Sequence, residues 1–144
     1  MAHERDTDLY LVKLGVYGVS MDIPTTLRST LQFNAAFSFA SGVLLSIWPG
    51  SVDDWLGTSV STWLRLFGIV LIGHALVILV VQRRDDIAGW ARLNLLAIAP
   101  YPLCMVVAAL LVGSSLGVAL VLIDGAIIGA IAATSYRGLR AVSV

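Results

Sequence analysis

The chain has 144 residues, 58% hydrophobic and 12% charged, with nine basic and nine acidic side chains and a mean hydropathy of +0.91. Soluble domains carry about 25% charged residues, so this composition leaves too little polar surface to coat a soluble fold. A net charge of zero provides no basic surface for nucleic acid, and one cysteine, Cys104, excludes an intrachain disulfide or a cysteine metal cluster. The reading is a single integral membrane domain, all-α.

Glu4, Asp6, Asp8 and Asp22 interleave with Arg5, Lys13 and Arg28, and the long apolar run begins only near Leu31. That is not the layout of a cleaved secretory signal, so the run is expected to stay as the first span. Residues 9–21 fit neither a helical nor a strand period. They are expected to lie in the inner interface with Tyr10 and Tyr17 at headgroup level, or to form a loosely ordered tail. Asp22, Pro24 and Thr25 look like a helix start.

The first span is expected at about 27–48, ending at Pro49 and Gly50. Thr30, Asn34, Ser38, Ser41, Gly42 and Ser46 recur at steps of three and four, so they share one face. Such a face is a close-packing seam or the polar lining of a cavity. Residues 51–59, with Asp53, Asp54 and Trp55, read as a short solvated loop.

The second span is expected at about 61–82. Arg65 lies one turn inside its end, where its stem can snorkel to the interface. His74 is deeper and roughly 180° around the helix from it. A lone histidine in an apolar helix is more often a hydrogen-bonded packing residue than a ligand. His3 in the tail is a poor partner, which excludes bis-histidine haem within one chain, and no cofactor or metal is expected.

The third span, about 88–112, carries Arg92, Asn94 and the sequence Pro100, Tyr101, Pro102. Two prolines remove backbone donors and kink a membrane helix. Trp90, Asn94, Tyr101 and Cys104 are spaced to share a face, with Cys104 expected as a buried, inert thiol. The polar turn Gly113 to Gly117 splits the long apolar stretch Leu93 to Tyr136 into a hairpin. The fourth span, about 116–136, contains one charge, Asp124, which costs about 2.5 to 3.5 kcal/mol on an insertion scale and is expected to face the interior. Gly125, Gly129 and Ala133 form a seam for a neighbouring helix or another subunit.

Apart from Arg65 and Arg92 within the spans, lysine and arginine fall at Arg5, Lys13 and Arg28, at Arg83 and Arg84, and at Arg137 and Arg140, while 51–59 and 113–115 have none. The positive-inside rule then places both termini in the cytoplasm. Trp48, Trp55 and Trp63 mark the outer interface and Trp90 the inner one.

Counted from the outer ends, Asp124 lies roughly 14 Å deep, Tyr101 roughly 16 Å, and His74 and Asn34 roughly 20 Å. Asn94 lies deeper. The expectation is a four-helix transmembrane bundle with a polar pocket lined by Asn34, His74, Tyr101 and Asp124, or a structural hydrogen-bond network at the same place. In the pocket reading Asp124 is the catalytic acid, His74 holds or relays the proton, and Asn34, Tyr101, Asn94 and Arg65 orient a ligand. The chemistry that suits it is isomerisation, epoxide opening or cyclisation of a lipophilic small molecule entering from the lipid bilayer. Two other readings are an accessory subunit docking on a larger membrane complex by the glycine seam, and a homo-oligomeric proton or small-solute transporter. The run Phe39 to Gly50, followed by Leu64, Arg65, Gly68 and a mid-helix Asp124, resembles small four-span bacterial inner-membrane proteins of mostly unassigned role. The resemblance covers about Phe39 to Tyr136 and implies fold and location, without an activity.

Overall fold

The structure is a computed structural model that describes residues 22–83 and 86–142. The interfacial segment expected before Asp22, with Tyr10, Tyr17 and His3, lies outside the described residues. Every element among the described residues is helical: α1 (Asp22–Ile47), α2 (Pro49–Leu56), α3 (Ser61–Val81), α4 (Ile87–Ile98), α5 (Tyr101–Ala109) and α6 (Ser115–Val142). Four helical stretches are long and apolar enough to cross a membrane: Thr25–Ile47, Ser61–Val81, Ile87–Ala109 and Ser115–Ala141. The third is α4 and α5 together. The fourth runs past Tyr136, where the expected span stopped at its first arginine. Leu66, Ile69, Val70, Val77 and Val80 of α3, with Leu96 and Leu103 beyond it, all face outward. An apolar outer surface of this extent suits lipid rather than water.

The small-residue face of α1 is a packing seam. Asn34, Ser38 and Gly42 on it are buried, and α1 makes its most extensive contact with α3. The two helices touch through backbone: a Cβ on Gly42 would sit 2.7 Å from the Gly68 carbonyl oxygen, and one on Gly68 would sit 2.7 Å from that of Gly42. Only glycine at both positions permits this approach. Helix α6 packs against α5, α1 and α4. Leu27, Ile78, Ala91 and Leu139 meet in one core cluster. That gathers the start of α1, the end of α3, the start of α4 and the end of α6 at one end of the molecule. Asp86 caps α4 there, accepting the Gly89 amide at 2.9 Å.

The opposite end corrects the expected solvated loop at 51–59. Pro49–Leu56 is helical, with proline in its first turn, and closes on Gly57 at φ 67°, a left-handed cap that glycine adopts without strain. Asp53 is only 8% exposed. Its carboxylate accepts the Thr58 hydroxyl at 2.5 Å and the amides of Val60 and Ser61 at 2.9 Å each. The Val60 side chain offers no cap, so Asp53 caps α3 from a neighbouring helix. These bonds, the Thr58 hydroxyl first, hold the Asp53 carboxyl below the usual carboxylate range. The Leu56 carbonyl takes the amides of Gly113 and Ser114 at 3.1 and 3.3 Å, and the Ser114 hydroxyl donates to the Trp55 carbonyl. The α2 segment and the α5–α6 turn are therefore stitched together.

Candidate functional site

The third span breaks where the prolines require it. Pro100 and Pro102 have no N–H for the carbonyls of Leu96 and Ile98, and the helix is interrupted between Ile98 and Tyr101. Tyr101 becomes the first residue of α5, and its hydroxyl donates to Asp124 Oδ2 at 2.5 Å. Phe67 of α3 lies parallel to the Tyr101 ring, with centroids 6.5 Å apart and planes 9° apart. The carboxyl in the fourth span is thus held by a phenol, which an aromatic ring holds in turn.

Asn34 belongs to a different group. Its Nδ2 donates to Asn94 Oδ1 at 3.0 Å, and the Ser38 hydroxyl donates to Asn34 Oδ1 at 3.4 Å. Asn34 is fully buried and Asn94 is 7% exposed, yet Asn94 Nδ2 has no hydrogen-bond partner among the described residues. Asn94 lines a half-open cleft of about 170 Å³ between α3 and α4, whose walls include Leu31, His74, Val77, Trp90 and Leu93. His74 is half-buried there and makes no side-chain hydrogen bond among the described residues.

The expected single pocket of Asn34, His74, Tyr101 and Asp124 is therefore two sites. Asn94 and Tyr101 are seven residues apart, about 10 Å of helical rise. Ile98, which lies between them, packs with Ile128 and Ile131 in an apolar cluster. No side-chain hydrogen bond joins the two groups among the described residues. His74 sits with Asn94 and has no link to Asp124. Arg65 is exposed and joins neither group, and Arg92 is exposed too. Cys104 is also exposed, against the expectation of burial. The break at Ala99 and Pro100 interrupts the single face on which its spacing from Asn94 relied.

The glycine seam of α6 is met in part by α5 of the same chain. A Cβ on Gly125 would lie 2.8 Å from Met105 Cβ, and one on Gly129 would lie 3.5 Å from Pro102. Ala133 is exposed. A second half-open cleft of about 290 Å³ opens on the seam itself, walled by Gly125 and Gly129 together with Pro102, Met105, Val106, Leu122 and Ala126. Among the described residues its walls carry no polar side chain, and Asp124 lines neither cleft.

Sequence reasoning passed over Phe67, which reads as one apolar residue among many. It also passed over the capping role of Asp53, whose signal was a carboxylate shortly before Thr58 and a new helix start at Ser61. Comparison of the chain with protein-family models, with curated proteins and with solved structures gave no match.

Proposed function

We propose that this is a multi-pass protein of the bacterial cytoplasmic membrane, a four-helix bundle with both termini cytoplasmic, that binds a lipophilic small molecule from the bilayer. The orientation rests on charge. Arg28, Arg83, Arg137 and Arg140 are exposed toward the end formed by the Leu27, Ile78 and Leu139 cluster, whereas α2 and the turn stitched to it carry no lysine or arginine.

The observation that carries the binding reading is Asn94. One side of its amide is committed to Asn34, while the Nδ2 donor is buried without a partner among the described residues, on a side chain that lines an apolar cleft. A buried donor left unmade costs about 1 to 3 kcal/mol. A ligand with an acceptor atom recovers that energy and covers the apolar wall in the same event. Asp124 is engaged by Tyr101 and lines neither cleft. The geometry therefore favours binding at Asn94 over acid chemistry at Asp124. At Gly125 and Gly129 α5 already packs against part of the seam, and the half-open cleft there carries no polar side chain among the described residues that would select a partner.

Lipid mass spectrometry on protein purified in native lipid tests this. A lipophile should co-purify with the natural chain and fall about tenfold in Asn94→Leu, the loss expected for one hydrogen bond. Equal recovery from both folded proteins would refute it.

A further inference from the structure

We propose that the α3–α4 cleft takes a neutral, carbonyl-bearing ring on an apolar tail, the chemistry of a quinone-type lipid. This rests on the binding reading above and names the class of ligand. Four features of the cleft select it.

Among the described residues the lining holds no formally charged side chain, and its polar groups are those of His74, Asn94 and the Trp90 indole N–H. An ionised headgroup would lose its hydration there with no counter-charge to meet it, so the ligand is neutral. The Asn94 Nδ2 donor is buried at the cleft wall with no partner among the described residues, so a ligand that displaces the side chains covering it meets a donor and must present an acceptor, and a carbonyl oxygen is the neutral acceptor a lipophile commonly carries. The volume of about 170 Å³ compares with the roughly 150 Å³ cavity that holds benzene. It is room for one six-membered ring. Finally, the cleft is half-open, with Val77, Leu93 and Ala97 on its rim exposed, so a tail leaves directly into lipid. Trp90 and His74 supply flat walls for a ring, and His74, which makes no side-chain hydrogen bond among the described residues, supplies a second polar group for a second oxygen.

The ester carbonyl of a glycerolipid shares the acceptor chemistry; the cleft volume and the flat walls of Trp90 and His74 fit a ring, and the competition below distinguishes an ester from it.

The test uses the full chain with Trp48→Phe, Trp55→Phe and Trp63→Phe, so that Trp90 is the only fluorophore of its kind, in phosphatidylcholine nanodiscs. A decyl-substituted 1,4-benzoquinone is titrated and Trp90 emission is read. Saturable quenching is expected, weakened about tenfold by Asn94→Leu, the loss for one hydrogen bond. It should also be lost in Ala97→Phe, which fills the cleft and leaves the Asn34–Asn94 bond alone. Circular dichroism establishes that each variant is folded. Quenching linear in quinone, or saturable quenching unchanged in a folded Asn94→Leu and in a folded Ala97→Phe, overturns the proposal. Competition by dioctanoylglycerol equal to that by a non-quenching quinol ether replaces the ring with an ester and overturns the assigned class. An Asn94-dependent lipophile that co-purifies while the quinone fails to saturate overturns this inference alone and leaves the binding reading standing.

Discussion

A carboxyl in an apolar span must find a donor within its own bundle, and Tyr101 is the donor that Asp124 finds at 2.5 Å. Intramembrane hydrogen bonds of this kind contribute about 0.6 kcal/mol on average and up to about 1.7. Asp124→Asn keeps an acceptor and is expected to leave stability within about 1 kcal/mol of the natural chain. Tyr101→Phe removes the donor and is expected to cost about 0.6 to 1.7 kcal/mol. A double-mutant cycle of Tyr101→Phe with Asp124→Leu, read by unfolding in mixed micelles, should return a coupling in that range. Zero coupling would show that the bond contributes nothing. At this scale the sequence was half legible. A lone charge in an apolar run announces itself, and so do a tyrosine between prolines and an asparagine in a span. Their pairing was hidden, because depth counted along separate helices carries no azimuth. Asn34 proved to face Asn94, and Tyr101 to face Asp124.

Two elements take their form from single residues. The third span is two helices because Pro100 and Pro102 withhold donors, and that break turns Tyr101 toward α6. Helix α3 begins where it does because Asp53 caps it through Val60 and Ser61. The folded Asp53 carboxyl titrates below its ordinary value, which for an unfolded chain is about 3.9. Its contribution is therefore fully present above about pH 4 and is lost as pH falls through the lower folded value. Thermal unfolding in detergent at pH 7 and at stepped acid pH should show the natural chain losing stability on acidification. Asp53→Asn should be less stable at pH 7 and flatter with pH. Parallel pH profiles for the two proteins would show that the cap does not act electrostatically. The start of α3 near Ser61 could be read from the end of the polar stretch. The α2 helix could not, because eight residues with two adjacent carboxylates look like a loop until Leu56 is seen accepting from Gly113 and Ser114.

For the molecule as a whole, the orientation proposed from the positive-inside rule is open to direct labelling. In a Cys104→Ser background, Ser51→Cys on α2 should react with a membrane-impermeant maleimide on intact cells, and Ala141→Cys only after permeabilisation. Labelling of Ala141→Cys on intact cells would reverse the orientation. Composition and the spacing of charged residues were enough to determine that the chain is helical, how many helices are long and apolar enough to span, and close to where each begins and ends. The reason is that a bilayer admits only segments that satisfy their own backbone over a length set by its thickness. The steps of small residues along α1 likewise announced a seam. Tertiary structure alone decided which helix fills which seam and which polar groups meet. The α6 glycines receive α5 of the same chain, Gly42 meets Gly68, and the expected single pocket divides around Ile98, Ile128 and Ile131. Rotation about each helix axis is set by the sum of many small packing contacts between helices, and no single residue type in the sequence encodes that sum.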